Sequence, residues 1–178
     1  MTNNAHSNVN NFNTAEFFFD YACPYCYETY KAIVGILQDF PDTQILWRPC
    51  EAHPRPSDHH RPHSDLCIQA MFFAADNSTD LQQYHTLVFS LIHGDRIDAE
   101  DITTLVQHLS PILDTNTLRQ ALSGGVYAQV LRDANRYAFE ESDVWAIPAF
   151  RANGQKLDAV IDIGITKEQL QDFLNKNR

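Results

Sequence analysis

Residues 16–27 read Glu-Phe-Phe-Phe-Asp-Tyr-Ala-Cys-Pro-Tyr-Cys-Tyr and join two patterns that decide the fold. The aromatic run at 17–19 is typical of a short buried strand. From Pro24 to Phe40, apolar residues recur at steps of three and four, which indicates one face of a helix. Proline suits a first helical turn, because its missing N–H has no partner to lose there. The segment therefore predicts a strand that leads directly into a helix, with Cys23 at the junction.

Outward from this segment, the hydrophobic patterns predict an α/β order of elements. Residues 44–48 form a second strand, and the connecting helix makes it parallel to the first. Five helices are predicted between about 64 and 141. Beyond Pro148, two short strands flank Asn153-Gly154, a strong hairpin signal, and a last helix follows. The predicted order is strand-helix-strand, five helices, then strand-strand-helix.

Local signals also predict where some of these elements begin and end. A capping box at 79–82 begins the second helix of the helical stretch, and Gly94 ends it. Val130 is expected on the buried stripe of the fifth helix. The second hairpin strand is expected over 155–160, and a capping box at 166–169 begins the last helix.

Length and charge restrict the class of protein. A chain of 178 residues suits one domain that carries an insertion. With 13 Lys and Arg against 23 Asp and Glu, the net charge of −10 disfavours nucleic acid and anionic membranes as partners. The Asn-rich start lacks the features of a signal peptide, and no apolar run is long enough for a membrane span. We therefore expect a cytoplasmic protein whose residues 1–13 are a disordered lead.

The pair Cys23-Pro-Tyr-Cys26 carries the chemistry that the sequence predicts. A helix N-terminus has unpaired N–H groups and a positive dipole end, which favour the thiolate of Cys23. Cys26, one turn further along the apolar stripe, is more shielded. Cys23 is thus the predicted nucleophile and Cys26 the predicted resolving thiol of a pair that alternates between dithiol and disulfide.

Other interpretations of the cysteines remain open at this point. The pair is also compatible with half of a zinc site or with two unreactive core thiols. Cys50 and Cys67, with the loop histidines His59, His60 and His63 between them, are compatible with metal ligation or with a second disulfide. Their irregular spacing favours solvated histidines and two structural thiols, so no metal site is expected.

Four segments give the chain a resemblance to a known family. Residues 18–27 resemble the active-site segment of the DsbA-like branch of the thioredoxin superfamily, particularly its cytoplasmic FrnE-like members. Residues 47–54 resemble the segment after the second strand of those proteins, and 118–138 resemble their helical insertion. Val-Trp-Ala-Ile-Pro-Ala-Phe at 144–150 resembles the motif that carries their cis-proline.

The resemblance implies a thioredoxin-like fold with an all-helical inserted domain. The thioredoxin-like domain is expected over 14–57 and 140–178, and the insertion over 58–139. The resemblance also implies that the Ile147–Pro148 bond is cis and lies beside the cysteine pair, leaving the Ile147 backbone to pair with substrate. Together with these two residues, the aromatic side chains of Tyr25 and Trp145 are expected to bind substrate at an apolar rim.

Two departures from the family alter what is expected of the pair. The dipeptide between the cysteines is Pro24-Tyr25, where strongly oxidising periplasmic members have Pro-His, so we expect a less oxidising protein. The position of the family's buried acid holds Phe17, and Glu16 is expected to point to the other face of the strand. Asp20 is left either to manage the proton of the resolving thiol or to cap the turn.

The expected activity is protein disulfide oxidoreduction or isomerisation by an enzyme without a cofactor, acting on protein thiols or disulfides. Glutathione is left open as a co-substrate, and the protein is expected to be a monomer or a homodimer. The same framework occurs in 2-hydroxychromene-2-carboxylate isomerases and kappa-class glutathione transferases, which have Ser where Cys23 stands. A glutathione-dependent isomerase or transferase is therefore the alternative, and a non-catalytic adaptor or chaperone is the third hypothesis.

Overall fold

The fold is built around a mixed sheet of four strands. The computed structural model describes residues 13–55 and 62–178. The strands are β1 (Asn13–Phe19), β2 (Thr43–Pro49), β3 (Ala149–Ala152) and β4 (Gln155–Asp158), in the spatial order β2-β1-β3-β4. β1 is parallel to β2 and antiparallel to β3, and β3 is antiparallel to β4. Because β1 lies in the middle, its end is held from both sides. The predicted parallel pairing of β1 with β2 and the predicted antiparallel hairpin of β3 and β4 are confirmed.

Helices connect these strands in the predicted order. The helix α1 (Pro24–Ile36) connects β1 to β2, and α7 (Lys167–Lys176) follows β4. The connection from β2 to β3 contains α2 (Asp65–Asp76), α3 (Leu81–Ser90), α4 (Ile102–Leu109), α5 (Thr115–Ser123) and α6 (Ala128–Arg136). None of the helices in the described ranges is long and apolar enough to span a membrane. The predicted disordered lead lies outside the described residues, except for Asn13, which begins β1.

The bounds of α3 differ from the prediction at both ends. The N-cap is Asp80, whose carboxylate accepts a hydrogen bond from the Gln82 amide, so the predicted capping box at 79–82 is wrong. Thr79 instead donates its backbone amide to the carbonyl of Ala74 and belongs to the turn that follows α2. Gly94 does not end the helix. The helical path continues through a π-helical turn from 91 to 95, and Arg96, with a φ of 55°, is its C-cap residue.

The predictions for the end of β4 and for the burial of Val130 are corrected, and the β3–β4 hairpin is confirmed. β4 ends at Asp158, because the next residues fold back in a short turn that pairs Val160 with Gly164. Val130 is 42% exposed, because α6 packs on the core through Leu131 instead. The β3–β4 hairpin turns at 153–154 with φ angles of 49° and 75°, the two positive values that a type I′ turn requires.

The aromatic residues of β1 enter two different cores. Successive side chains of a strand point to opposite faces, so Phe17 and Phe19 lie in the large core and Phe18 in a smaller one. Phe17 stacks on Phe150 of β3 with a centroid distance of 4.9 Å. Phe18 shares its core with Val144, which precedes the Ile147–Pro148 bond. Burial on both faces therefore fixes where β1 ends.

A carboxylate–amide pair joins the end of β2 to the helices that follow. The Glu51 carboxylate accepts a hydrogen bond from the Asn135 side-chain NH₂ at 2.9 Å, and the Glu51 backbone amide donates to the Asn135 side-chain oxygen Oδ1 at 2.8 Å. The carboxylate and the backbone amide of Glu51 therefore both have hydrogen-bond partners although Glu51 is buried. This pair attaches α6 to the segment that follows β2.

A buried histidine lies among the aromatic rings between the sheet and α3. The ring of His85 is fully buried, and its Nδ1 shares a hydrogen bond of 2.7 Å with the Tyr21 hydroxyl. The Trp47 ring lies 4.4 Å from it, centroid to centroid. Burial lowers the pKa of His85 from 6.5 to about 3. His85 is therefore a neutral member of the core.

This neutral histidine makes stability depend on pH. In the unfolded chain the pKa of His85 returns to about 6.5, so below that pH the unfolded state binds a proton that the folded state excludes. The contribution of His85 is full above that value and is lost as pH falls toward 3. From pH 7 to pH 4, the free energy of unfolding of the wild type should fall by about 2–3 kcal/mol more than that of Tyr21→Phe/His85→Phe.

Urea denaturation at the two pH values measures this difference. The double variant removes the hydroxyl and the imidazole together, so neither is left as an unpaired buried group. Tyr21→Phe alone keeps His85 and is the matched control, which should retain the pH dependence of the wild type. Parallel losses in the wild type and the double variant would contradict the assignment to His85.

Candidate active site

The turn after β1 places Cys23 at the start of α1. The Cys23 amide donates to the Asp20 carbonyl at 3.1 Å, and the Ala22 amide donates to the Asp20 carboxylate at 2.8 Å. Cys23 is the N-cap residue, with extended backbone angles, and Pro24 begins the helix as predicted. The strand-to-helix transition thus holds the Cys23 sulfur over the free amides of the first turn.

Hydrogen bonds favour the thiolate of Cys23. Its sulfur accepts the Cys26 backbone amide at 3.3 Å. The pKa of Cys23 lies below the ordinary value of 9.0, first because the Cys26 thiol donates to it, and further because backbone amides face it, which together outweigh burial. Cys23 is partly exposed, so the thiolate is reachable from solvent. These properties match those predicted for a nucleophile.

Cys26 has the opposite environment. Its side chain is fully buried, and burial raises its pKa well above 9.0, with the neighbouring Cys23 sulfur raising it further. Both thiols are free in this structure, as are Cys50 and Cys67. The pair therefore consists of one thiol whose pKa is lowered and one whose pKa is raised.

Asp20 caps the turn and also faces the cysteines. Its carboxylate is 4% exposed and accepts the amides of Ala22 and Ala52, each at 2.8 Å. Burial raises the pKa of Asp20, while hydrogen bonds lower it. The negative charge of Asp20 raises the pKa values of both Cys23 and Cys26. The position of Asp20 is thus compatible with both expected roles, which are capping the turn and managing the proton of the resolving thiol.

The acid of β1, Glu16, is directed away from the cysteines. Phe17 is buried in the large core, and Glu16 lies on the opposite face of the strand, as predicted. The Glu16 carboxylate pairs with Arg48 at 2.7 Å and accepts the Tyr137 hydroxyl at 2.8 Å. Asp20 is therefore the acid of this segment that acts on the pair.

A cavity of about 420 Å³ opens beside Cys23. Its lining residues come from the turn, from the segment after β2 and from the start of the β3 region, and they are Asp20, Ala22, Cys23, Pro24, Tyr25, Ala52, His53, Pro62 and Ile147. The Ile147–Pro148 peptide bond is cis, and Pro148 is buried. Trp145 is 68% exposed and does not line the cavity. The structure thus gathers Cys23, Asp20, Pro24, Tyr25 and Ile147 around one space.

Part of the cavity wall is absent from the sequence prediction. Ala52, His53 and Pro62 form this wall, and the His53 backbone carbonyl accepts a hydrogen bond of 2.8 Å from Nδ1 of the His63 ring. A small residue, an imidazole and a proline in a loop carry no motif of their own. The resemblance at 47–54 is the signal in the sequence that marks part of this segment.

The loop after β4 also reaches the active site. It spans residues 159–165, and its Gly164 packs against the Tyr25 side chain. Val160, Ile161 and Ile163 of this loop are exposed. The sequence pattern predicts a strand over 155–160, so the approach of this loop to Tyr25 was not predicted. A lone glycine among isoleucines was the available signal.

Cys50, Cys67 and His63 are not among the residues that line the cavity. Cys67 belongs to the large core and Cys50 to the small one, so the alternative of a bridge between them is not realised. Burial raises the pKa values of both thiols. His63 is largely buried, while His59 and His60 lie outside the described residues. Among residues 13–55 and 62–178, no group of three or more His, Cys, Asp or Glu side chains is arranged to hold a metal.

Comparisons with known proteins identify the fold. No protein-family model matches the chain. The uncharacterized protein YwbO of Bacillus subtilis (strain 168) is 24% identical over 168 residues, which cover 75% of this chain and 83% of the relative. A probable DsbA oxidoreductase from Streptomyces coelicolor superposes with a TM-score of 0.72 at 14% identity, over 93% of this chain and 89% of that one.

A second kind of enzyme shares the same fold. A 2-hydroxychromene-2-carboxylate isomerase superposes with a TM-score of 0.71 at 12% identity, over 92% of this chain and 93% of that one. The resemblance predicted from the sequence is confirmed at the level of the fold. The chain has the α/β thioredoxin-like fold of DsbA-like proteins, with a helical insertion.

The position of Asp20 predicts the ionisation of the nucleophile. Because its charge raises the pKa of Cys23, Asp20→Asn should lower the midpoint of the pH profile of Cys23 alkylation by about half a pH unit. Iodoacetamide alkylation of the reduced protein from pH 4 to 9 measures the midpoint. Glu16→Gln, which neutralises the neighbouring acid on the other face, is the matched control and should leave it unchanged. An unchanged or raised midpoint in Asp20→Asn would refute the placement of this charge.

Proposed function

We propose that the protein is a thiol–disulfide oxidoreductase in which Cys23 is the nucleophile and Cys26 the resolving thiol. The observation that carries the proposal is the division between these two sulfurs. One is partly exposed and accepts a backbone amide at 3.3 Å, and the other is fully buried three residues away. A low pKa in an accessible thiol and a high pKa in its neighbour are the properties that thiol–disulfide exchange uses.

The reaction follows from these positions. The Cys23 thiolate attacks one sulfur of a substrate disulfide, forming a mixed disulfide and releasing the other sulfur as a thiolate that takes up a proton. Cys26 then loses its proton and attacks the Cys23 sulfur, which closes the Cys23–Cys26 disulfide and releases the second substrate thiol. The substrate gains two electrons and the cysteine pair loses two. The reverse sequence oxidises a substrate dithiol.

The second attack requires the Cys26 proton to leave a buried site. Asp20 is a buried carboxylate whose charge acts on both thiols, and burial raises its pKa above the ordinary value of 3.8, which makes it a better proton acceptor. We infer that Asp20 receives this proton. Its two accepted amide bonds, from Ala22 and Ala52, hold the carboxylate in place for the transfer.

The substrate in this proposal is a polypeptide with a disulfide or thiols. The backbone of Ile147 borders the cavity, where an extended segment would pair with it, and the exposed rings of Tyr25 and Trp145 offer apolar contact. Glutathione then enters as the reductant that regenerates the dithiol, in a reducing cytoplasm where the Pro24-Tyr25 pair works as a reductase or isomerase.

A glutathione-dependent isomerase or transferase is the second candidate. The likeness of the fold to 2-hydroxychromene-2-carboxylate isomerase favours it. In such an enzyme the residue at position 23 would hydrogen-bond the thiolate of glutathione instead of exchanging disulfides. A serine there would suffice, so replacement of Cys23 separates the two activities.

Reduction of insulin disulfides by dithiothreitol, followed by turbidity, tests the proposal. The wild type should accelerate it, and Cys23→Ser should abolish the acceleration, because a hydroxyl cannot form the mixed disulfide. Cys26→Ser should accumulate a mixed disulfide on Cys23, visible by mass spectrometry. Cys50→Ser, a buried thiol outside the pair, is the matched control and should keep the activity.

The outcome against the proposal is equally defined. If Cys23→Ser accelerates insulin reduction as the wild type does, the exchange mechanism fails. If Cys23→Ser binds glutathione and turns over an organic electrophile, the isomerase or transferase is the correct assignment.

The exposed indole of Trp145 gives a further prediction about substrates. Trp145→Ala should raise KM about threefold to tenfold for a disulfide-containing peptide with apolar residues, because the contact area of an aromatic ring is lost. The rate with glutathione disulfide should stay the same. Val126→Ala removes an apolar side chain of similar exposure, 63%, between α5 and α6 and is the control. Equal KM values for the peptide in both variants would remove Trp145 from the substrate site.

A further inference from the structure

The loop at 159–165 is a closed structure that reaches from the cis bond to the cysteine motif. At its start, the Ala159 amide donates to the Pro148 carbonyl at 2.9 Å. Val160 and Gly164 then exchange two backbone hydrogen bonds, of 3.1 and 2.9 Å. At its end, Ile165 is buried in the large core. Because both ends of the loop and the Val160–Gly164 pair are held by these contacts, the fold sets the position of Gly164.

Gly164 meets the cysteine motif at Tyr25. A Cβ built on Gly164 would lie 3.2 Å from Tyr25 Cδ1 and 3.3 Å from Tyr25 Cβ, closer than ordinary van der Waals contact. Its φ is +83°, a conformation that glycine adopts without steric cost. The backbone of the loop therefore packs directly on the residue between Pro24 and Cys26. A side chain at 164 would push either the loop or Tyr25 away.

The position of Tyr25 matters because it belongs to the first turn of α1. This turn presents the Cys26 amide to the Cys23 sulfur at 3.3 Å. A displacement of a few tenths of an ångström at Tyr25 moves the peptide unit that carries this amide, and hydrogen bonds weaken with distance and misalignment. The amides of this turn also contribute to the lowered pKa of Cys23.

We propose that Gly164 is a positioning residue for the nucleophile: without a side chain, it lets the 159–165 loop close on Tyr25 and hold the first turn of α1 with its amides directed at the Cys23 sulfur. The proposal deepens the proposed function, since it assigns to a loop more than 130 residues from Cys23 a role in the ionisation of that cysteine. The specific contact between Gly164 and Tyr25 carries it.

The chain contains a matched control for this contact. Gly154, in the β3–β4 turn, has a similar φ of +75°, but a Cβ there would meet nothing within 4 Å. Gly164→Ala and Gly154→Ala therefore impose similar backbone strain, and Gly164→Ala alone adds a clash with Tyr25. Any effect specific to Gly164→Ala is due to the contact and not to the loss of glycine.

The experiment measures the midpoint of the pH profile of Cys23 alkylation in reduced, full-length protein. Gly164→Ala should raise the midpoint by about one pH unit, because a hydrogen bond to a charged group contributes about that much. Gly154→Ala should leave it at the wild-type value. In a Tyr25→Gly background, which removes all of the contacted side-chain atoms including Cβ, the shift caused by Gly164→Ala should be smaller. Equal midpoints in Gly164→Ala and Gly154→Ala, or equal shifts in both backgrounds, would overturn the proposal.

A second substitution keeps the test valid if Gly164→Ala does not fold. Asparagine tolerates positive φ better than alanine and still carries a Cβ, so Gly164→Asn against Gly154→Asn repeats the comparison. Circular dichroism shows that each variant is folded before alkylation. The readout is separate from turnover. If the wild type fails to reduce insulin while Gly164 variants still shift the midpoint, the proposed function fails and the positioning role stands.

Discussion

The burial of β1 on both of its faces is the constraint on which the active site depends. Phe17 and Phe19 are buried in one core and Phe18 in another, and the strand is hydrogen-bonded to a neighbour on each side. A strand held in four directions cannot slide or tilt without opening a cavity or exposing aromatic area, each at a cost of kilocalories per mole. The turn that follows β1 therefore presents Cys23 to α1 at a fixed point, and the amide–sulfur geometry follows from that.

The surroundings also give opposite pKa shifts to the two cysteines, which are chemically identical. The N-cap position gives one sulfur a set of N–H donors and access to solvent, and one helical turn places the other in the core. The field of the helix and the desolvation of the core act in opposite directions on the two pKa values. Asp20, held by two backbone amides, adds a negative charge that opposes ionisation of either thiol. The pair thus draws its asymmetry from its surroundings alone.

Much of the fold could be predicted from sequence because its signals are local. The aromatic strand, the Asn153-Gly154 turn and the Thr166 capping box each depend on a few neighbouring residues, and each lies where its pattern placed it. The predictions that were wrong concern contacts between residues distant in sequence, or backbone turns that differ from a regular helix or strand. The π turn that carries α3 to Arg96 and the fold-back after Asp158 have no periodic signature.

The same distinction applies to the active site. Cys23 and Cys26 were identifiable because a motif and a strand-to-helix junction coincide in one short segment. Ala52, His53 and Gly164 reach the cavity or the motif only through the fold, and small or common residues carry no compositional mark of such a position. Cys50 and Cys67 show the converse, since their type attracts attention and their burial in separate cores explains them.

The place of β3 in the sheet has a consequence for how the chain is made. Phe17 of β1 pairs with Phe150 of β3, so the middle of the sheet joins residues about 130 positions apart, and closing so long a loop is entropically costly and slow. On the ribosome, β1, α1 and β2 emerge long before β3, and the edge of β1 that β3 will cover stays unpaired during that interval. The helices α2 to α6 are synthesised during that interval, after β2 and before β3. The cysteine motif is thus synthesised early, but its cavity gains Ile147 only when the last third of the chain arrives.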